Sequence, residues 1–134
     1  MHAHASFDYA LLRVVPRVER QEFINAGVVV YCPEKRYLAA RIRLHAARLR
    51  ALWPEADAAL VQQHLDAVER ICAGGADAGP IARLSQRERF HWLTSPRSTI
   101  VQPSPVHTGV CDATEGLLER MEKQFLQWPE ASEQ

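Results

Sequence analysis

The spacing of apolar residues predicts three β-type runs before position 45 and helical runs after it. Phe7 to Val15 (FDYALLRVV) is rich in aromatic and β-branched residues, and its imperfect alternation suits a central strand covered on both faces. Pro16 has no backbone donor and ends the ladder, so Arg17 to Gln21 is read as a charged connection. Phe23 to Cys32 (FINAGVVVYC) predicts a second strand. Gly27 inside it points to a bulge or a close backbone approach, and Asn25 fits the same kink. Pro33 to Arg36 is a tight charged turn. Tyr37 to Leu44 then alternates, with Leu38, Ala40 and Ile42 on one face and Arg41 and Arg43 on a solvated face or edge. Three such strands with short links make an antiparallel meander.

After Leu44 the period lengthens. His45 to Trp53 predicts a short helix with Leu49, Leu52 and Trp53 inward. Pro54 suits a first helical position, with Glu55 and Asp57 set against the N-terminal dipole. Leu60, Val61, His64, Leu65, Val68, Ile71 and Cys72 follow at three- and four-residue spacing until Gly74-Gly75. His64 falls on the apolar side and is read as a core or boundary histidine. Ser85 and Glu88 have the capping-box pattern of a further short helix, which Ser95-Pro96 ends. Ser98 to Gln102 predicts a fourth strand, and Val106 to Gly109 an edge piece or a loop. Asp112, with Glu115 at N3, predicts a capped last helix with Leu117, Leu118, Met121, Phe125 and Trp128 as its buried stripe. The expected fold is α+β: an antiparallel sheet of about four strands with helices packed on one face. It forms one domain over 1–134, with 1–6 and 129–134 as tails.

Composition changes this picture little. With 47% hydrophobic and 24% charged residues the chain is an ordinary globular protein of one-domain length. No apolar run reaches the roughly 18 residues that span a bilayer, and no secretory pattern is visible, so the expected location is cytoplasmic. Cys32, Cys72 and Cys111 are scattered, odd in number and free of any CxxC pair, which reads as isolated thiols. Net charge is zero, yet residues 1–53 carry nine Lys/Arg against four Asp/Glu, and residues 54–134 seven against twelve. The basic half makes an anionic ligand or an acidic partner surface plausible there; the alternative is that the halves neutralise each other in the fold.

Chemistry concentrates in two polar segments, Arg17 to Asn25 and Ser95 to Gly109, which are expected to meet. Arg17, Glu19, Arg20 and Glu22 either pair internally or leave arginines to bind an anion, with Asn25, Arg97 and Ser98 adding donors. His107 with Glu22 is a candidate acid–base pair. Three or four metal ligands at usable spacing are missing, as are nucleotide-binding glycine loops and a nucleophile elbow, so neither metal nor cofactor is expected. A low aromatic share of 7% makes nucleic acid an unfavoured third reading.

RVVPRVERQEFINAGVVVYCP, ERFHWLTSPRST and SPVHTG, in this order and spacing, resemble the bacterial family known as domain of unknown function 3037, over residues 7–118. The resemblance brings no activity or cofactor. It implies a partner, because members are often encoded beside a HipA-like serine/threonine kinase protein. The expectation is therefore a non-enzymatic protein-interaction or accessory module partnering such a kinase protein. The alternative is a small enzyme or binder of a phosphate- or carboxylate-bearing ligand, using Arg17, Arg20 and Arg97 with His107 and Glu22. Oligomeric state is not legible.

Overall fold

A computed structural model describes residues 4–127. The elements run β1 (Ala5–Val14), β2 (Ile24–Cys32), β3 (Tyr37–Ile42), α1 (Ala46–Leu52), α2 (Ala58–Ala73), α3 (Gln86–Leu93), β4 (Val101–Pro103), β5 (His107–Cys111) and α4 (Leu117–Phe125). The fold is α+β, and every strand pairing is antiparallel. β3, β2 and β1 are adjacent in that order, and both β4 and β5 pair with the far side of β1. Ala5 and Ser6, expected as tail, belong to β1. The expected tail at 129–134, Trp128, and residues 1–3 lie outside the described residues.

β4 and β5 are two halves of one interrupted strand. Leu12 faces Pro103 and Tyr9 faces His107, so Ser104, Pro105 and Val106 stand against only Ala10 and Leu11. Pro105 cannot donate to a ladder. Ser104 repairs the gap: its N–H donates to the Leu11 carbonyl at 2.8 Å, and its hydroxyl accepts from the Leu11 N–H at 2.8 Å. That double use explains why Ser104 is buried. The bulge expected at Gly27 is present, the pairing with β1 slipping between Leu12↔Gly27 and Arg13↔Asn25. A Cβ on Gly27 would lie 2.9 Å from Ile42 Cδ1 and 3.2 Å from the Arg41 carbonyl, so close approach to β3 demands glycine.

Alternation along β1 and β2 divides the core. Ala10, Leu12, Val14, Ile24, Ala26 and Val29 face α1–α3, where Leu49, Leu65, Phe90 and Leu93 complete one apolar cluster. Phe7, Val28, Val30 and Cys32 face the other way, against Leu117, Met121 and Leu126 of α4 and its C-terminal end. Three helices thus share one face, and α4 covers part of the second. This is the physical reason that the first two strands read as nearly continuous apolar runs. Arg41 and Arg43, expected at a solvated face, reach α4 instead: Arg41 Nη1 donates to Glu122 Oε1 at 2.6 Å, and Arg43 bonds Glu122 Oε2.

Two helix starts differ from expectation. α2 begins at Ala58, with Asp57 as its cap accepting from the Leu60 N–H at 3.1 Å; Pro54 and Glu55 form the turn before it. α4 begins at Leu117 because Gly116 adopts φ 77°, a left-handed residue that a helix starting at Asp112 would have to pass through. The capping box of Ser85 and Glu88 forms as expected. α3 then docks on the end of α2 through Arg89, a buried residue whose guanidinium donates to the carbonyls of Ile71, Cys72 and Leu84 at 2.8–3.0 Å. A buried guanidinium is tolerated here because carbonyls at the negative end of a helix surround it.

Candidate functional site

The two polar segments meet at one end of the sheet, where the Val15 N–H donates to the Ile100 carbonyl at 2.7 Å and Val14 pairs with Val101. The first segment closes on itself. A short 3-10 turn over Val18–Arg20, ended by Gln21 at φ 58°, sets each arginine beside the glutamate two residues on. Arg17 Nε bonds Glu19 Oε2 at 3.1 Å, and Arg20 forks onto both oxygens of Glu22 at 2.8 and 3.2 Å. Glu19 is held below the usual carboxylate range first by a backbone hydrogen bond and then by Arg17; Glu22 is held low by its hydrogen bond to Arg20. All four side chains are largely exposed, so these pairs shape a surface loop and contribute little stability.

Asn25 sits opposite Arg13 at the bulge. Asn25 Oδ1 and Arg13 Nε are buried without a hydrogen-bond partner, while the Arg13 guanidinium lies 4.3 Å from the centre of the Phe23 ring. Arg97 turns away from the loop toward α3. It stacks on Trp92, 4.6 Å above the ring, and donates to the carbonyls of Ser95 and Trp92. Burial pulls its guanidinium somewhat below its usual range. Ser98 is exposed beside it.

His107 opens β5, exposed, opposite Tyr9, whose ring is 5.5 Å away. Tyr9 precedes Val14 by five strand positions, or about 17 Å at the usual strand rise, and Glu22 lies in the loop beyond Val14. The structure therefore keeps His107 and Glu22 out of hydrogen-bond reach. The four arginine-and-glutamate side chains of the loop, Arg97, and His107 occupy three separate places.

What the fold does assemble is a cleft of about 700 Å³ beside α3. One wall is the outer side of α3 and its approach: Leu84, Arg87 and His91 at three- and four-residue spacing, with Trp92 next to His91. The other is Asp8 of β1, Tyr31 of β2 and Val106 of the β4–β5 interruption. Leu84, Trp92 and Val106 remain 38–44% exposed, unusual for large apolar side chains lying together. Arg87 has no ion pair among the described residues, and Asp8 accepts from the Thr108 hydroxyl at 2.9 Å. Sequence reasoning missed this cleft because its residues come from four separate stretches. The one local signal was Trp92, a tryptophan in the last turn of the short helix that Ser95-Pro96 follows.

His64, read as a core or boundary histidine, is exposed; the buried stripe of α2 is centred on Val61, Leu65 and Val68. All three thiols are buried and unbridged. Burial pushes Cys72 up to about 12 and raises Cys111 as well, the opposite of what a nucleophile needs. Among the described residues no group of three or more His, Cys, Asp or Glu is placed to hold a metal ion, and no helix is long and apolar enough to cross a membrane.

A family model described as a protein of unknown function, DUF3037, matches residues 9–126. The match runs to the end of α4, beyond the resemblance read from the motifs alone. None of the curated proteins or solved structures compared matches the chain. The chain belongs to the DUF3037 family.

Proposed function

We propose that this member of the DUF3037 family is a non-enzymatic accessory module that binds a segment of a partner protein in the cleft beside α3. The family resemblance makes a HipA-like kinase protein the candidate partner. The observation that carries the reading is the cleft itself. It is large enough for several side chains, walled by half-exposed Leu84, Trp92 and Val106, and provided with Arg87 and Asp8 to orient what enters. A rigid helix and a sheet hold both walls, so binding would need little ordering of this chain. The internal pairing of Arg17 with Glu19 and of Arg20 with Glu22 favours the cleft over the charged loop as the binding face.

Co-expression with the HipA-like protein, followed by affinity capture, tests it. The wild type and an Arg17→Ala/Arg20→Ala variant should retain the partner, and a Leu84→Glu/Val106→Asp variant with unchanged Tm should lose it. No capture by the wild type removes the partner. Loss with the arginine variant alone would move the binding face to the loop.

A further inference from the structure

A second, smaller cleft of about 170 Å³ lies between α2 and β4. Its floor is apolar, made by Leu12, Val68, Leu93 and Val101. Its polar rim carries Arg97 and His64, and no Asp or Glu lines it. Arg97 is the telling residue. Of the five N–H donors of a guanidinium, two are used on the carbonyls of Ser95 and Trp92. The remaining donors have no carboxylate partner, since no ion pair of Arg97 occurs among the described residues. The imidazole of His64 is likewise unengaged there. A half-buried cation held rigidly by a stacked indole and two carbonyls, above an apolar floor and with no counter-charge, is a preformed site for an anion joined to an apolar body.

We infer that this cleft binds a small monocarboxylate carrying one ring or a short branched chain, its carboxylate against Arg97 and His64 and its body on the floor formed by Leu12, Val68, Leu93 and Val101. Size sets the class: an apolar cavity of about 150 Å³ accepts a single benzene ring, so this cleft covers one ring or a short branched chain and would leave the rest of a larger ligand in solvent. The carboxylate takes the remaining guanidinium donors without disturbing those that hold α3. The site is distinct from the partner cleft, and Trp92 is a wall of both.

The test titrates the 134-residue chain with benzoate, isocaproate, benzyl alcohol and inorganic phosphate, reading Tm and the Trp92 indole NMR signal. Benzoate and isocaproate should bind saturably, at least about tenfold more tightly than benzyl alcohol or phosphate. Equal binding of benzyl alcohol would remove the role of Arg97, equal binding of phosphate would remove the role of the floor, and absence of saturation would overturn the site outright. Arg97→Met should weaken benzoate about tenfold or more. Val68→Phe, which fills the cleft with its own ring, should abolish binding while the chain stays folded. Should Arg97→Met fail to fold, the neutral isostere and Val68→Phe decide the matter, and benzoate binding that survives Val68→Phe would refute the placement.

Discussion

On the face that carries α1–α3, the sheet is held by buried, mostly aliphatic side chains, and the buried charge of Arg89 is satisfied by backbone carbonyls. On the face under α4, a nine-residue helix covers a smaller apolar cluster and is fastened at its edge by Glu122, which takes Arg41 and Arg43 together. The same strands feed both faces through alternate residues. The contrast teaches that a sheet apolar on both sides need not hold its two covers in the same way. The side with more helix excludes water and needs no ion pair, whereas the side with one short helix relies partly on charges that salt and acid can weaken.

The largest expected effect lies on the first face. Leu65→Ala should destabilise by about 3–4 kcal/mol and Met121→Ala by about 2 kcal/mol, both by cavity formation in a buried position. Urea denaturation measures the two, and an equal or reversed order would break the comparison. Arg89→Met comes next, at about 1–3 kcal/mol, because three carbonyls lose their donor together.

Glu122→Gln should cost about 1 kcal/mol or less, since both arginines keep contact with solvent. Its signature is pH dependence. The hydrogen bond from Arg43 first, and then the nearby charges, hold Glu122 below the usual carboxylate range. Its contribution is therefore fully present above the ordinary carboxylate value and is lost as pH falls through its own lowered value. A Tm–pH profile should show an acid limb in the wild type that flattens in the variant, and high salt should mimic the substitution. Alkylation of the native protein sharpens the same contrast. Cys111, on the α4 face, should react before Cys72, whose thiol is pushed up to about 12; the reverse order would show that α4 is the tighter cover. The smallest effect is expected for Arg17→Ala and Arg20→Ala, each within about 0.5 kcal/mol, as exposed pairs contribute little.

Much of the fold was legible because its strong signals are local. Val28, Val29 and Val30 announce a buried strand, Gly27 its bulge, and Ser85 with Glu88 a helix start. The failures were cases where several local signals competed. Asp112 and Glu115 have the right spacing for a cap, but Gly116 takes a left-handed conformation between them and the helix. Pro54 is a good first helical residue, yet Asp57 offers the better cap. His64 repeats at helical spacing but lies at the margin of the stripe, where neighbouring Leu60 is also exposed. The candidate sites were harder to read. Arg97 is held by carbonyls of Trp92 and Ser95, and backbone partners leave no trace in side-chain composition. The cleft beside α3 exists only because topology brings Asp8, Tyr31, Val106 and α3 together.

The hydroxyl of Ser104 gives the outer edge of the sheet a hinge pin. Most amides of β1 are shielded by another strand, but that of Leu11 is shielded by one side-chain oxygen. The edge can thus open in halves, β4 peeling from Leu12–Val14 without disturbing β5 on Ala5–Tyr9, or the reverse. Hydrogen exchange would register this as two separate protection levels along one strand, with Leu11 as the boundary between them. Breathing at the β4 half would then widen the small cleft over Val101 while the wall of the larger cleft beside Asp8 stayed in place.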